Sequence, residues 1–394
     1  MTVSPVRDLG GLLTLPKGIE ALVFDMDGVL IDSVAADMAL CRTAADQVLG
    51  ESAWLKREQI IAHFALHPEA FWAELVKDAT RPVSETELGD LVRVYNEARQ
   101  RAEFVLIPGA VALLEAAKAS GLKLAVGSSN DIDIVEAILK NVGLEDAFLA
   151  IAGIDAGVAG KPNPDIYLKA AMDLGVAPQS CAFIEDSVTG LTAGRAAGYG
   201  YAVAVATGAT SIETLSASGL ADVAYLQFEQ PSIRFIDGQP TDKSIRTPND
   251  FVSHMVEHIA WRLGTGIDLT WPNTDWNAMG QALGREIHTL SLSRDSAASL
   301  GMIDDGAAEC LVDLTQAPGV QFDGHHSLDM DRILEMRVEQ VSRGGDLIDL
   351  LNGLSQGLSA RIELRLCTFE DPHHSWEGVY RALGITLNRL RIVE

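Results

Sequence analysis

Five short apolar runs recur between residues 19 and 228, each separated from the next by a longer stretch. They are ALVFD (21–25), LKLAVG (122–127), FLAIAG (148–153), CAFIED (181–186) and YAVAVA (201–206). Each has strand length, and most end at Gly or a polar turn residue. Apolar strands alternating with amphipathic helices must be covered on both faces. The pattern predicts an α/β fold built on a doubly wound parallel sheet. Residues ~35–105 break the alternation. They read as several helices without a strand, including AADMALCRTAADQVL and ELGDLVRVYNEARQRAEF. So long a connection predicts a helical cap over the carboxyl edge of the sheet.

A chain of 394 residues exceeds what one core usually encloses, so a second domain is expected. The aperiodic stretch EQPSIRFIDGQPTDKSIRTPND (229–250) reads as the junction. The expected organisation is a first domain at 18–228, a linker at 229–246 and a second α/β (α+β) domain at 247–394. The second domain carries an internal duplication. TDWNAMGQALG (274–284) aligns with HSWEGVYRALG (374–384), and FVSHMVEHIAWRLGTGIDLTW (251–271) resembles DLIDLLNGLSQGLSARIELRL (346–366). The repeated unit reads as helix, strand, loop, helix.

Charge narrows the partners. With 30 Lys+Arg against 55 Asp+Glu the formal net charge is -25. Such a surface repels phosphate backbones and anionic lipids, so neither nucleic acid nor a membrane surface is an expected partner. Cys41, Cys181, Cys310 and Cys367 form no CxxC pair, which fits a reducing compartment. The opening MTVSPVRDLGGLLTLPKG lacks a long apolar core, and no run of about 18 apolar residues occurs. A cytoplasmic location is expected.

Four separated motifs carry the chemistry of the first domain. Asp25 and Asp27 follow the first apolar run in DMDGVLIDS (25–33), where Gly28 allows a sharp turn. Ser128 and Ser129 end the second run, Lys161 sits in GKPNPDIYL, and Glu185 and Asp186 close CAFIED. In a doubly wound sheet the carboxyl ends of the strands meet at one crevice. Four carboxylates brought together need a counter-charge, and a hard divalent cation such as Mg²⁺ supplies it. Cation, ammonium and hydroxyl together suit an oxyanion in phosphoryl transfer. Asp25 is then a candidate nucleophile and Asp27 a candidate general acid/base.

These motifs, in this order, resemble the haloacid dehalogenase-like superfamily of phosphohydrolases over roughly residues 18–228, with a Rossmann-like sheet. The resemblance implies an aspartyl-phosphate on Asp25, with Asp27 as acid/base. It implies Mg²⁺ held by Asp25, the Asp27 backbone carbonyl and Asp186, with Glu185 in or near the shell. Ser128, Ser129 and Lys161 would grip the phosphoryl group of a small phosphorylated metabolite. The helical insert resembles the small cap of the β-phosphoglucomutase and phosphoglycolate phosphatase branch. The mutases carry a His in the helix after the first motif, where this chain has Asp37, so hydrolysis is expected and a sugar-phosphate mutase is the alternative. His63, His67, Trp72 and Arg81 lie in cap segments, as substrate contacts or as packing and surface residues.

In the second domain His373, His374 and Glu377 have HHxxE spacing in DPHHSWEG (371–378), and SHMVEH (253–258) places His254 on a helix. Residues about one turn apart on a helix can share a metal. Together with the repeat, these stretches resemble imidazoleglycerol-phosphate dehydratase, a duplicated Mn²⁺ enzyme of histidine biosynthesis, over roughly 245–390. The departures are specific. The repeat-mates of His373, His374 and Glu377 are Asn273, Thr274 and Asn277, the mate of His254 is Asp349, and the chain stops at RLRIVE without a basic tail. Amides and hydroxyls bind Mn²⁺ more weakly than imidazole. The expectation is a degenerate unit without dehydration activity. It would retain at most one metal site, from His254, His373, His374 and Glu377, and serve homo-oligomeric assembly or ligand binding. A bifunctional histidine-biosynthesis phosphatase/dehydratase is the remaining alternative.

Overall fold

The computed structural model describes residues 6–391 except 65, 237–242, 340 and 342, and the chain divides into two compact units, Met1–Glu229 and Gln230–Glu394. A short hairpin, β1 (Val6–Asp8) with β2 (Thr14–Pro16), precedes the first buried strand, β3 (Ala21–Phe24). β4 (Ile31–Asp32) leads into four helices: α1 (Val34–Leu49), α2 (Arg57–His63), α3 (Pro68–Leu75) and α4 (Glu85–Arg101). β5 (Val105–Leu106) pairs antiparallel with β4, so the insert leaves and returns through one two-stranded neck.

Strands and helices then alternate as the apolar runs require. α5 (Ala110–Ala119), β6 (Lys123–Asp131), α6 (Ile132–Asn141), β7 (Ala150–Ile154) and α7 (Asp165–Leu174) come first. β8 (Cys181–Glu185), α8 (Val188–Ala196), β9 (Tyr201–Val205), α9 (Ile212–Ala217) and β10 (Val223–Tyr225) complete the unit. The sheet order is β10-β9-β8-β3-β6-β7, all parallel. Side chains alternate between two cores. Leu22, Phe24, Val126 and Ile184 pack on one face, and Ala21, Val23, Ala125 and Phe183 on the other. That division follows the two-residue period of a strand. The insert has a core of its own around Trp72, Phe71, Leu91 and Tyr95.

In the second unit, β11 (Ser232–Ile236) pairs antiparallel and β12 (Lys243–Arg246) parallel with β13 (Gly266–Thr270). The linker expected at 229–246 therefore supplies two strands of this unit's sheet. They flank β13 on either side, the ladder satisfying their backbone groups while Ile233, Phe235 and Ile245 pack against the core. α10 (Asp250–Leu263) precedes β13 and α11 (Trp276–Thr289) follows it. β14 (Ser296–Ile303), β15 (Gly306–Asp313), β16 (Gly319–Gly324), α12 (Met330–Glu335), α13 (Gly344–Leu358), β17 (Arg361–Leu366) and α14 (Pro372–Leu390) follow. β15 is antiparallel and β16 parallel to β17, repeating the arrangement around β13. The duplication read from helix–strand–helix spacing thus extends to the strands before each first helix. Its α11 and α13 approach so closely that a Cβ on Gly353 would lie 1.9 Å from the Asn277 carbonyl oxygen.

Candidate active site

The ladder between β3 and β8 runs one residue past β3, where the Asp25 amide donates to the Ile184 carbonyl at 3.0 Å. That bond fixes Asp25 at the carboxyl edge of the sheet, beside the end of β8. Gly28 follows at φ 74, the left-handed conformation the turn requires. Lys161, from the loop after β7, reaches the same point. Its Nζ donates to Asp25 Oδ1 at 2.6 Å, to Glu185 Oε1 at 2.5 Å and to the Gly127 carbonyl at 2.9 Å. Tyr167 donates its hydroxyl to Glu185 Oε1 at 2.6 Å. Carboxylate oxygens of Asp25, Glu185 and Asp186 all lie within 4.8 Å of one another.

Asp27 points toward the insert. Its Oδ2 accepts from Asn130 Nδ2 at 2.8 Å, and its Oδ1 accepts from the guanidinium of Arg99 on α4. Arg99 also donates to Asn130 Oδ1 at 2.6 Å, and its Nε lies 3.0 Å from Asp37 Oδ1. Ser128 Oγ accepts from the Asn130 side chain at 2.9 Å, and Ser129 Oγ accepts from the Lys161 amide at 3.3 Å. Asp25, Asp27, Ser128, Ser129, Lys161, Glu185 and Asp186 thus line one cavity of about 390 Å³.

The electrostatics set what the site can hold. Burial pushes the Asp25 carboxyl up to about 8; Lys161 opposes the shift, and Glu185 and Asp27 add to it. Burial, reinforced by Asp25 and Glu185, also raises Asp186 well above the carboxylate range. Burial alone would lower Lys161, but Asp25 and Glu185 hold its ammonium above the usual lysine value. A site of buried, mutually repelling carboxylate oxygens fits a hard divalent cation. A Cβ on Gly208 would lie 1.7 Å from Asp186 Oδ2, so the loop after β9 leaves room for that carboxylate only as glycine.

Sequence reasoning missed Arg99, Asn130 and Tyr167. It singled out His63, His67, Trp72 and Arg81, and none of these lines the cavity. Trp72 is fully buried in the insert's core, His67 Nε2 lies 3.1 Å from Asp131, and Arg81 pairs with Glu87 at the surface. The spacing of Leu91, Tyr95 and Arg99, each four residues from the last, was a signal that Arg99 shares the buried face of α4.

In the second unit, α10 and α14 bring a second cluster together. His254 Nε2 lies 2.5 Å and His258 Nε2 2.8 Å from Glu377 Oε1, and the two imidazole nitrogens are 3.3 Å apart. His373 Nε2 is 3.6 Å from the same oxygen. His374 does not join them: it turns to Asp305, 2.8 Å from Nδ1. One residue of helix rotates a side chain by about 100°, so the i, i+4 partner of Glu377 is His373. His258, four residues after His254, packs on the same Glu377 oxygen instead. Burial lowers the His258 pKa, against the hydrogen bond it donates to Glu377. Burial would raise Glu377, but hydrogen bonds from His258 and His254 hold it below the usual value. Donor atoms of His254, His373 and Glu377 lie within 4.8 Å of one another, and imidazoles with a carboxylate fit a transition metal. The repeat-mates are also brought together, Asn277 Nδ2 donating to the Asp349 carbonyl at 3.2 Å, but without an imidazole.

Comparison with known proteins bears on the first unit. The haloacid dehalogenase-like hydrolase family matches residues 19–198. YhcW of Bacillus subtilis, named as a phosphatase, is 36% identical over 183 residues, 46% of this chain and 80% of its own length. Hexitol phosphatase B of Escherichia coli is 29% identical over 196 residues, 47% of this chain and 83% of its own. The solved structure of a point mutant of CbbY from Rhodobacter sphaeroides with xylulose-(1,5)bisphosphate is 26% identical. It covers 53% of this chain and 95% of its own, at a TM-score of 0.48. Through its first unit this chain belongs to the haloacid dehalogenase-like hydrolases.

Proposed function

We propose that the first unit hydrolyses a small phosphorylated metabolite through an aspartyl-phosphate on Asp25. The observation that carries the reading is the buried Asp25 carboxylate, in contact with Lys161 and within 4.8 Å of Glu185 and Asp186, with Asp27 held separately two residues on. Asp25, Asp186 and the Asp27 carbonyl would hold Mg²⁺, with Glu185 beside them. The ion, when bound, neutralises the carboxylates and the charge on the phosphoryl oxygens. Asp25 attacks phosphorus, and the bond to the leaving oxygen breaks. Asp27 protonates that oxygen, then takes a proton from the water that attacks the phosphoryl–Asp25 bond at phosphorus. Lys161 and Ser128 hold the phosphoryl oxygens. Asn130 and Arg99 orient the Asp27 carboxyl. The test is phosphate release from a panel of sugar, polyol and aryl phosphates, with and without Mg²⁺. Release that needs Mg²⁺ and falls at least about a thousandfold in Asp25→Asn supports the reading. No Mg²⁺-dependent release from any compound rejects it.

The mutase alternative is disfavoured by Asp37. It is buried against Arg99, and no imidazole occupies its place. A mutase would need activation by a bisphosphate and would release no phosphate.

For the second unit we infer a degenerate dehydratase-like module with one metal site, from His254, His373 and Glu377, with His258 beside it. The absence of imidazole at Asn273, Thr274 and Asn277 supports the loss of dehydration chemistry. Leu300 and Met302, exposed on the edge strand β14, favour a role in self-association. Bound Mn²⁺ together with consumption of imidazoleglycerol phosphate would overturn the first point, and a monomer in light scattering the second.

A further inference from the structure

The wall of the catalytic cavity contributed by α2, α3 and the loop between them is apolar. Ile61, Ala62, Phe64, Leu66, Pro68 and Phe71 line it. Among the described lining residues two carry positive charge, Lys161 and Arg99, and both are committed. Lys161 holds Asp25 and Glu185, and Arg99 holds Asp27, Asn130 and Asp37. Against them stand five lining carboxylates: Asp25, Asp27, Asp37, Glu185 and Asp186. Even with a divalent cation bound, the formal balance before substrate enters is one negative charge. The lining hydroxyls are neutral; those of Ser187 and Ser211 cap helices, accepting from the amides of Gly190 and Thr214, and Thr189 and Thr210 line the cavity beside them.

We propose that the substrate is a phosphomonoester whose leaving group bears no second anionic group and lays an apolar face against Phe64, Leu66 and Phe71. This rests on the phosphatase reading and names the substrate class it leaves open. The transferred phosphoryl group uses the cation site and Lys161. A carboxylate or second phosphate at the far end would meet an apolar wall with no free cation and would be desolvated without a partner. A cavity of 390 Å³ is small for a ligand pocket, which suits a leaving group of a few carbons.

The test compares kcat/KM, at saturating Mg²⁺, for length-matched pairs: hexyl phosphate against 1,6-hexanediol bisphosphate, and benzyl phosphate against 4-carboxybenzyl phosphate. The neutral member of each pair is expected to be at least about tenfold better. Leu66→Lys, which places a cation on the wall, is expected to narrow that ratio by raising the charged member. Wild-type enzyme that handles the charged member equally well or better overturns this inference and leaves the phosphatase reading standing. Phosphate release from neither member of either pair, under conditions where Asp25→Asn is indistinguishable from wild type, rejects both.

Discussion

Two carboxylates two residues apart do different work because their surroundings differ. Asp25 is buried against Lys161 and two other carboxylates, whereas Asp27 faces a neutral amide and the Arg99 guanidinium. Without a divalent cation the Asp25 carboxyl, held up to about 8, keeps its proton through neutral pH. A cation must displace it. Apparent Mg²⁺ affinity should therefore rise from pH 6 to pH 8, by up to about tenfold per unit for each proton displaced. An affinity unchanged over that range, measured by calorimetric titration, would contradict the assignment. The sign for folding runs the other way. The folded cation-free protein binds this proton more tightly than the unfolded chain, whose carboxyl titrates near 3.8, so its stability should fall as pH rises toward 8. Gly208 offers a second test. Gly208→Ala pushes a methyl into Asp186, and the Mg²⁺ concentration for half-maximal activity should rise about tenfold or more. An unchanged Mg²⁺ requirement would separate Asp186 from the cation. Asp25, Asp27, Lys161, Glu185 and Asp186 were legible because each ends or closely follows an apolar run. Arg99 was not, because one more arginine in a helix as charged as α4 looks like solvated surface until the helix folds back over the sheet. His258 was overlooked beside the HHxxE spacing, although its position one turn after His254 put it on the same face.

At the level of elements, five of the six strands of the first unit's parallel sheet could be read directly because burial on both faces makes them nearly continuous apolar runs; β10 and the β1–β2 hairpin, three residues per strand, could not. The insert was legible as helices, and its neck was not: β4 and β5 are two residues each, too short to show a period. The strands β11 and β12 were hidden for a related reason. They border β13 in a three-stranded sheet, and Ile233, Phe235 and Ile245 pack against the core, but over five and four residues that alternation is too short to stand out from the turn-forming residues around it, which read as a linker. The repeat in the second unit rests on close packing between α11 and α13. Gly353→Ala would force the helices apart at Asn277, at about 1–3 kcal/mol, partly offset by about 1 kcal/mol of helix propensity. We expect a lower unfolding temperature for the second unit with Mg²⁺-dependent phosphate release retained. Loss of that release, with the second unit's unfolding unchanged, would contradict this description of the helix pair.

The whole molecule carries a net charge of -25, and the proposed substrate is an anion. A small set of carboxylates is drawn into the cation site, and the rest set a long-range field that opposes substrate approach. That field is screened over a Debye length of about 10 Å at 0.1 M salt. At saturating Mg²⁺, kcat/KM should therefore rise as ionic strength increases from about 0.01 to 0.1 M. A fall over that range would mean that the local cations dominate the approach. All of this depends on one claim, that Asp25 is the phosphoryl acceptor. The direct measurement is acid quenching of the Asp27→Asn variant during turnover with Mg²⁺ and p-nitrophenyl phosphate, followed by mass spectrometry of the peptides. In that variant the second step is slowed, so the account predicts one phosphoryl group, labile to hydroxylamine, on the peptide containing Asp25. Turnover with no phosphoryl group on that peptide, or phosphate release undiminished in Asp25→Asn, would contradict it.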